Sequence, residues 1–149
     1  MSDRQETIIE VYVGSRSNGT PRFEKLWVEL LPDDTYRLVR TPKLALGLAR
    51  EDTFRVDPRG NVVDITSGPY LGIQVISERP LDQAAIDGLI AAAAEAGGTL
   101  DVHDDLVAGL AVPREVTDER LRGAIDRYAA THPVRGWWVA STEDPDVRA

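Results

Sequence analysis

The sequence contains no cysteine among its 149 residues. Disulfides, thiolate metal sites and a cysteine nucleophile are therefore excluded, and the composition suits a reducing compartment. Long apolar runs are also lacking, since none approaches the roughly 20 residues that span a bilayer. Residues 1–6 are polar and do not form the apolar core of a signal peptide. We therefore expect a cytoplasmic protein that does not bind or enter a membrane.

Recognisable catalytic motifs are lacking as well. No Gly-rich phosphate-binding loop is present, and Ser67 stands in Thr-Ser-Gly-Pro, which is not the Gly-x-Ser-x-Gly of a nucleophile elbow. An active site assembled from residues that are distant in sequence stays open. The sequence therefore favours a non-enzymatic protein, and it predicts no catalytic residue, no cofactor and no bound metal.

One polar row allows two interpretations. Asp101, His103 and Asp105 alternate along a predicted strand and its turn, so their side chains share one side. Carboxylate and imidazole groups in this arrangement can ligate a metal ion. A polar row of this kind is also typical of the solvated face of an edge strand, and we favour that interpretation.

Positive charge is scarce relative to negative charge. Asp and Glu number 25 against 17 Lys and Arg, which gives a formal net charge of −8. Such a surface repels nucleic-acid phosphates, so we expect no nucleic-acid partner. The charge favours solubility, and it can also speed association with a basic protein partner.

The first 69 residues show a β-rich pattern. The predicted strands are Thr7 to Val13, Phe23 to Leu31, Thr35 to Arg40, Asp52 to Val56 and Val62 to Thr66. Thr41 followed by Pro42 is typical of a helix start, so we also predict one short helix there. Residues 1–69 are therefore interpreted as a β-barrel-like meander with one short helix.

Residues 70–141 alternate strand, helix, strand, strand, helix and strand. Asp82 and Thr117 are the predicted N-caps of the two helices. This order is typical of a ferredoxin-like βαββαβ sheet with both helices on one face. The predicted fold class is thus α+β, with the N-terminal meander packed on a ferredoxin-like sheet, followed by a flexible tail at 142–149.

The second face of the ferredoxin-like sheet is expected to be covered. Val107, Gly109 and Ala111 share one side of their strand and carry no charge, and one of Trp137 or Trp138 lies on the same side. A solvated sheet face would alternate with polar residues instead. The cover is either the N-terminal half or a second copy of the chain in a homodimer.

Several short segments carry a resemblance to a known family. They are Phe23-Glu-Lys-Leu-Trp-Val-Glu29, Tyr36-Arg-Leu-Val-Arg-Thr-Pro42, Gly47-Leu48 ahead of Asp52, and Ser67-Gly68, followed by the βαββαβ region. Over roughly residues 22–141 the chain resembles an uncharacterised bacterial family of domains of unknown function. The resemblance implies a two-part α+β fold and no assigned activity.

A shared binding site of that family would lie among the residues of these segments. They are Trp27, Arg40, Pro42, Asp52, Ser67 and Gly68. A purely structural role is the alternative, since Pro42 and Gly68 are typical of turns and Trp27 of packing.

The sequence therefore predicts a non-enzymatic acidic protein-binding module. An immunity or inhibitor protein that masks a basic toxin is one form of it. The alternative is a sensor or regulatory domain that binds a small ligand, and a hydrolase is less favoured.

Overall fold

The computed structural model describes residues 5–141, which form two antiparallel sheets and two α-helices. The class is therefore α+β, as predicted. The tail predicted at 142–149 lies outside the described residues. Among the residues that are described, no helix is long and apolar enough to cross a membrane.

The first sheet is a five-stranded meander with the spatial order β1-β2-β3-β4-β5. Its strands are β1 (Glu6–Ser15), β2 (Pro21–Leu30), β3 (Tyr36–Leu38), β4 (Thr53–Val56) and β5 (Val62–Thr66). A short 3₁₀ helix, Pro32–Asp34, connects β2 to β3. Val11, Val28 and Phe54 are fully buried and mark the inner face, around which the first core forms.

This sheet curls without closing. The N–H of Tyr12 in β1 donates to the carbonyl oxygen of Gly60, in the turn between β4 and β5, over 2.8 Å. Within residues 5–141, no ladder of hydrogen bonds joins β1 to β5. The predicted meander is thus confirmed as an open, curled sheet and not a closed barrel.

The prediction of a short helix beginning at Thr41-Pro42 is wrong. Residues 41–52, which we call the crossing loop, contain no helical turn. The N–H of Ala45, which a helix would direct to the carbonyl of Thr41, donates instead to the carboxylate of Glu24 over 2.7 Å. Gly47 then takes a left-handed φ of 88°. A distant carboxylate therefore overrides a local helix signal.

The second sheet has the spatial order β7-β8-β6-β9. Its elements in chain order are β6 (Tyr70–Ser77), α1 (Gln83–Glu95), β7 (Thr99–His103), β8 (Val107–Pro113), α2 (Asp118–Ala129) and β9 (Val134–Val139). Both predicted N-caps are confirmed, because Asp82 accepts from the N–H of Ala85 and Thr117 from that of Arg120. Side chains of both helices share one core with the inner face of this sheet.

The crossing loop covers the other face of the second sheet. Gly109 and Ala111 are buried there, and the Gln74 amide donates to the carbonyl of Ala45 in the loop over 3.1 Å. The indole N–H of Trp138 donates to the Gln74 side chain over 3.0 Å. The predicted cover is therefore confirmed for Gly109 and Ala111, and it comes from the N-terminal half of the same chain, whereas Trp138 on this face stays 40% exposed. Val107 is half-buried at its margin.

The loop lies so close to the sheet that two positions beneath it, Gly109 and Gly72, have no room for a side chain. A Cβ added at Gly109 would stand 2.5 Å from the carbonyl oxygen of Pro42, and one at Gly72 would stand 2.8 Å from that of Leu48. Both contacts are far below van der Waals distance and involve backbone atoms. The absence of a side chain at these two glycines therefore allows the loop to lie this close to the second sheet.

A matched pair of glycine substitutions tests this packing. We expect Gly109→Ala to lower the free energy of unfolding by about 1–3 kcal/mol, because the loop must move away from the new methyl group. Gly136→Ala is the control, since a Cβ there meets nothing within 4 Å. Urea denaturation measures both. Equal stability of the two variants would contradict the close approach.

Candidate functional site

Trp27 and Arg40 form a pair on the outer face of the first sheet. The guanidinium carbon of Arg40 lies 5.2 Å from the centre of the Trp27 ring. Trp27 is 39% exposed. A cation over an indole face is held by the ring quadrupole, which fixes both side chains at the surface.

Asp52 and Gly68 belong to a buried structural cluster instead. The Asp52 carboxylate is fully buried and accepts from the N–H groups of Gly68, over 2.6 Å, and Ala49, over 2.8 Å. The Gly68 carbonyl accepts from Nε of Arg114 over 2.7 Å. Ser67 is exposed beside this cluster. These groups tie the start of β4 to the connection between β5 and β6.

Pro42 makes a contact of a third kind. It is fully buried in the crossing loop, with its carbonyl against Gly109. The six predicted site residues are therefore divided among a surface pair, a buried cluster and a loop contact. They do not form one binding pocket.

Sequence reasoning missed Glu24, which has the largest influence on the crossing loop. Its carboxylate is buried and accepts from three consecutive N–H groups, those of Lys43, Leu44 and Ala45, over 2.9, 3.1 and 2.7 Å. The available signal was its position, because Glu24 alternates with Leu26 and Val28 and so points to the core side of β2. A charge at such a position needs buried donors.

Asp101 is a second residue that holds the loop. Its carboxylate accepts from the N–H of Thr41 over 2.8 Å and from the hydroxyl of Thr99 over 2.7 Å, and Arg50 lies 3.4 Å away. The interpretation of Asp101 as part of a solvated row is therefore wrong, since its side chain is only 3% exposed. Within residues 5–141, no group of three His, Asp or Glu side chains could hold a metal ion.

The outer face of the first sheet carries a set of exposed apolar side chains. Ile8 lies across from Trp27, and Tyr12 across from Phe23, with the charged pair Glu10 and Lys25 between them. We call these residues the aromatic stripe: Ile8, Tyr12, Phe23 and Trp27. Ile8 is 45% exposed and Phe23 is 49% exposed.

One end of the aromatic stripe borders a shallow depression. Tyr12 and Phe23 meet edge to face there, with ring centres 5.9 Å apart. Their rings line a hollow of about 390 Å³ together with Pro21, Arg59 and Asn61. Rigid aromatic walls with an adjacent guanidinium are typical of surfaces that bind proteins.

The second core holds one polar atom without a partner. Among the described side chains, the buried hydroxyl of Tyr128 makes no hydrogen bond. The Tyr128 ring stacks on the imidazole of His132, with centres 5.0 Å apart. Burial, and then the negative charge of Asp82, raise the pKa of this hydroxyl.

Removing that hydroxyl is expected to stabilise the protein. Tyr128→Phe keeps the ring and its contacts but removes a buried donor that has no acceptor, which should raise the free energy of unfolding by about 1 kcal/mol. Tyr36→Phe in the first core is the control. Chemical denaturation of both variants measures the difference. A destabilised Tyr128→Phe protein would show that the hydroxyl is hydrogen-bonded in solution.

The Asp52 carboxyl predicts a pH dependence. Burial raises the pKa of this carboxyl above its ordinary value of 3.8, against the opposing effects of the Gly68 and Ala49 N–H groups and of Arg114. The folded state therefore binds this proton more tightly than the unfolded state. The contribution of the group to stability is highest below pH 3.8 and is lost as the pH rises through the folded pKa.

Comparison with Asp52→Asn isolates this titration. The free energy of unfolding of the wild type minus that of Asp52→Asn should fall as the pH rises above 3.8 and through the folded pKa, because only the wild type loses the proton. Urea denaturation at a series of pH values gives the difference. A difference that grows with pH would mean that the folded pKa is lowered instead.

Comparisons with known proteins show the family and leave the activity open. A crystal structure of a hypothetical protein from Neisseria gonorrhoeae has a similar fold, with a TM-score of 0.61 at 13% identity, over 95% of this chain and 96% of that one. No curated protein matches the chain. The model of the family described as a domain of unknown function, DUF4265, matches residues 24–138. The chain therefore belongs to the DUF4265 family.

Proposed function

We propose that this protein is a non-enzymatic protein-binding module whose docking face is the aromatic stripe on the first sheet. The observation that supports this most directly is the exposure of Ile8, Phe23 and Trp27 on one face of two paired strands. Aromatic residues and Arg are enriched among the residues that dominate binding energy at protein interfaces. Arg40, held on Trp27, adds such a group.

The rigidity of this face supports the same proposal. β1 and β2 pair without a register shift from Glu6 and Glu29 to Tyr12 and Phe23, so the stripe rests on a ladder of paired strands rather than on a loop. Side chains on a rigid scaffold lose little conformational freedom on binding. A partner would therefore find the stripe already in its binding arrangement.

The proposed partner is a basic protein. The formal net charge of −8 attracts a positively charged surface and repels an acidic one, which speeds encounter at low ionic strength. The mixed charges Glu10 and Lys25 within the stripe would set the register of the contact. An immunity or inhibitor protein that masks a basic toxin is one form of this function.

We also propose a ferredoxin-like arrangement for the second sheet and a cytoplasmic location for the protein. The spatial order β7-β8-β6-β9 and the packing of both helices against one face support a ferredoxin-like arrangement of the second sheet. A cytoplasmic location is favoured by the absence of cysteine from the sequence.

The test begins with capture of the partner from the native host at low salt, followed by reconstitution from purified proteins. We expect a basic protein whose association slows as salt is added. Trp27→Ala and Phe23→Ser should each weaken the purified complex by about 30-fold, a hot-spot effect of about 2 kcal/mol, measured by calorimetry. Ile90→Ser is the control, since Ile90 is 50% exposed on α1, outside the first sheet.

Three results would overturn the proposal. Capture of no protein is the first, and capture of an acidic partner is the second. The third is a complex that Trp27→Ala leaves unchanged while Ile90→Ser weakens it. Sedimentation of the free protein adds a further check, because a wild-type dimer that Trp27→Ala converts to a monomer would assign the stripe to self-association.

A further inference from the structure

The first sheet ends at β1 in an open strand edge. In the spatial order β1-β2-β3-β4-β5, β1 pairs with β2 on one side, and within residues 5–141 no strand pairs with its other side. An edge strand presents backbone N–H and C=O groups that can pair with a strand of another chain. The residues whose backbone groups point outward therefore decide what this edge can bind.

Two hydrogen bonds show which way the backbone groups of β1 point. The N–H of Leu30 in β2 donates to the carbonyl oxygen of Gln5 over 3.2 Å, so the backbone of Gln5 faces β2. The N–H of Tyr12 points away from β2 and donates to the carbonyl oxygen of Gly60 over 2.8 Å. Backbone groups alternate in direction along an antiparallel strand, so the even-numbered residues of β1 face the open edge.

The open edge is continuous with the aromatic stripe. Glu6, Ile8 and Glu10 direct their N–H and C=O groups outward, and their side chains share the outer face, because alternate residues of a strand share a face. Ile8 belongs to the aromatic stripe and lies across from Trp27. A strand added beside β1 would therefore extend the same exposed face.

The other edge strands within residues 5–141 are each interrupted by a bulge. The register shifts in the pairing of β5 with β4, of β7 with β8 and of β9 with β6. A bulge twists an edge and obstructs the addition of a further strand. In β1 the register shifts only after Tyr12, so the stretch from Glu6 to Tyr12 is regular. Among these edges, β1 is the one suited to strand addition.

We propose that β1 binds an extended basic segment of the partner protein as an additional antiparallel strand. This inference rests on the proposed protein-binding function and specifies the form of the partner. Glu6 and Glu10 flank Ile8 on the edge, and within residues 5–141 neither carboxylate makes a hydrogen bond or an ion pair. Opposite charges directly across two strands stabilise the pairing. The expected segment therefore has an apolar residue opposite Ile8 and a Lys or Arg two positions away on each side.

Charge disfavours a second copy of this chain as the added strand. Symmetric antiparallel pairing about Ile8 would place Glu6 of each copy opposite Glu10 of the other, and like charges directly opposite are destabilising. Each copy also carries a formal net charge of −8. A basic strand meets attraction in both respects, so the partner segment is the occupant that the edge favours.

A terminally blocked peptide, Thr-Lys-Thr-Val-Thr-Lys-Thr, is the probe. Its valine is matched to Ile8, its lysines to Glu6 and Glu10, and its threonines have high β propensity. In an NMR titration to about 5 mM peptide, the amide resonances of Ile8 and Glu10 should shift and saturate. The amide of Ile90, on α1, should not move. The same peptide with glutamate in place of lysine should bind about tenfold more weakly.

Methylation of the peptide backbone separates strand addition from simple charge attraction. In the antiparallel pairing, the valine opposite Ile8 directs its N–H to β1, whereas the threonine before it directs its N–H away. N-methylation of the valine should therefore abolish the saturable shift, and N-methylation of that threonine should leave it in place. The protein is unchanged in this comparison, so folding does not enter. Equal binding of the two methylated peptides would overturn the inference.

Ile8→Pro and Ile8→Thr are a matched pair of protein variants. Both remove the apolar side chain, but only proline removes the N–H on the open edge. Proline is tolerated at an edge position whose N–H faces solvent, because it breaks no hydrogen bond of the ladder. Ile8→Pro should bind the lysine peptide about tenfold more weakly than Ile8→Thr. Thermal melts report that both variants are folded.

Failure of this inference is distinguishable from failure of the protein-binding proposal. No saturable shift with the lysine peptide, or equal binding of the glutamate peptide, would overturn the added basic strand. A captured partner that Trp27→Ala weakens, but that binds Ile8→Pro and Ile8→Thr equally, would keep the aromatic stripe and reject the strand. A wild-type dimer in sedimentation that Ile8→Pro dissociates and Ile8→Thr preserves would assign the edge to a second copy instead.

Discussion

The joint between the two sheets depends on buried carboxylates that accept backbone N–H groups. Glu24 binds three consecutive N–H groups of the crossing loop, Asp101 binds the N–H of Thr41, and Asp52 binds the N–H of Ala49. Each carboxylate satisfies donors that would otherwise be buried without partners, and each donor offsets part of the cost of burying a charge. The path of the loop follows from these three positions, and the loop in turn covers the second sheet.

This arrangement assigns the acidic residues of the chain to two different tasks. The buried ones organise the backbone and have no access to a substrate, whereas the exposed ones give the surface its negative field. The aromatic stripe lies outside the buried network, so its side chains can be changed without disturbing the joint.

Regular elements were predictable because their signals are local. The alternation of Val11, Leu26 and Val28, and the capping residues Asp82 and Thr117, are visible within a few positions of sequence. The burial of Gly109 was also predictable, since a strand without charge on either face needs cover on both. These features identify the class of the fold and the existence of a packed second face.

The crossing loop was not predictable by the same reasoning. Thr41 and Pro42 match a helix start, but the acceptor that prevents the helix is Glu24, on a strand that precedes them. Asp101 was interpreted as part of a solvated row because its local sequence shows no buried donor. The donor that it binds is the N–H of Thr41, 60 positions earlier in the chain. The six candidate site residues are likewise dispersed. The segments that resemble the family contain both surface residues and structural residues, and the sequence alone does not separate the two kinds.

The closeness of the loop to Gly72 and Gly109 has a consequence for cooperativity. If the two sheets separated, Glu24 and Asp101 would lose their donors, and the backbone carbonyls that rest on the two glycines would lose their contacts. Neither half can therefore open while the other stays intact without a large energetic penalty. The two cores should unfold together in a single transition, so the chain behaves as one folding unit although it contains two sheets.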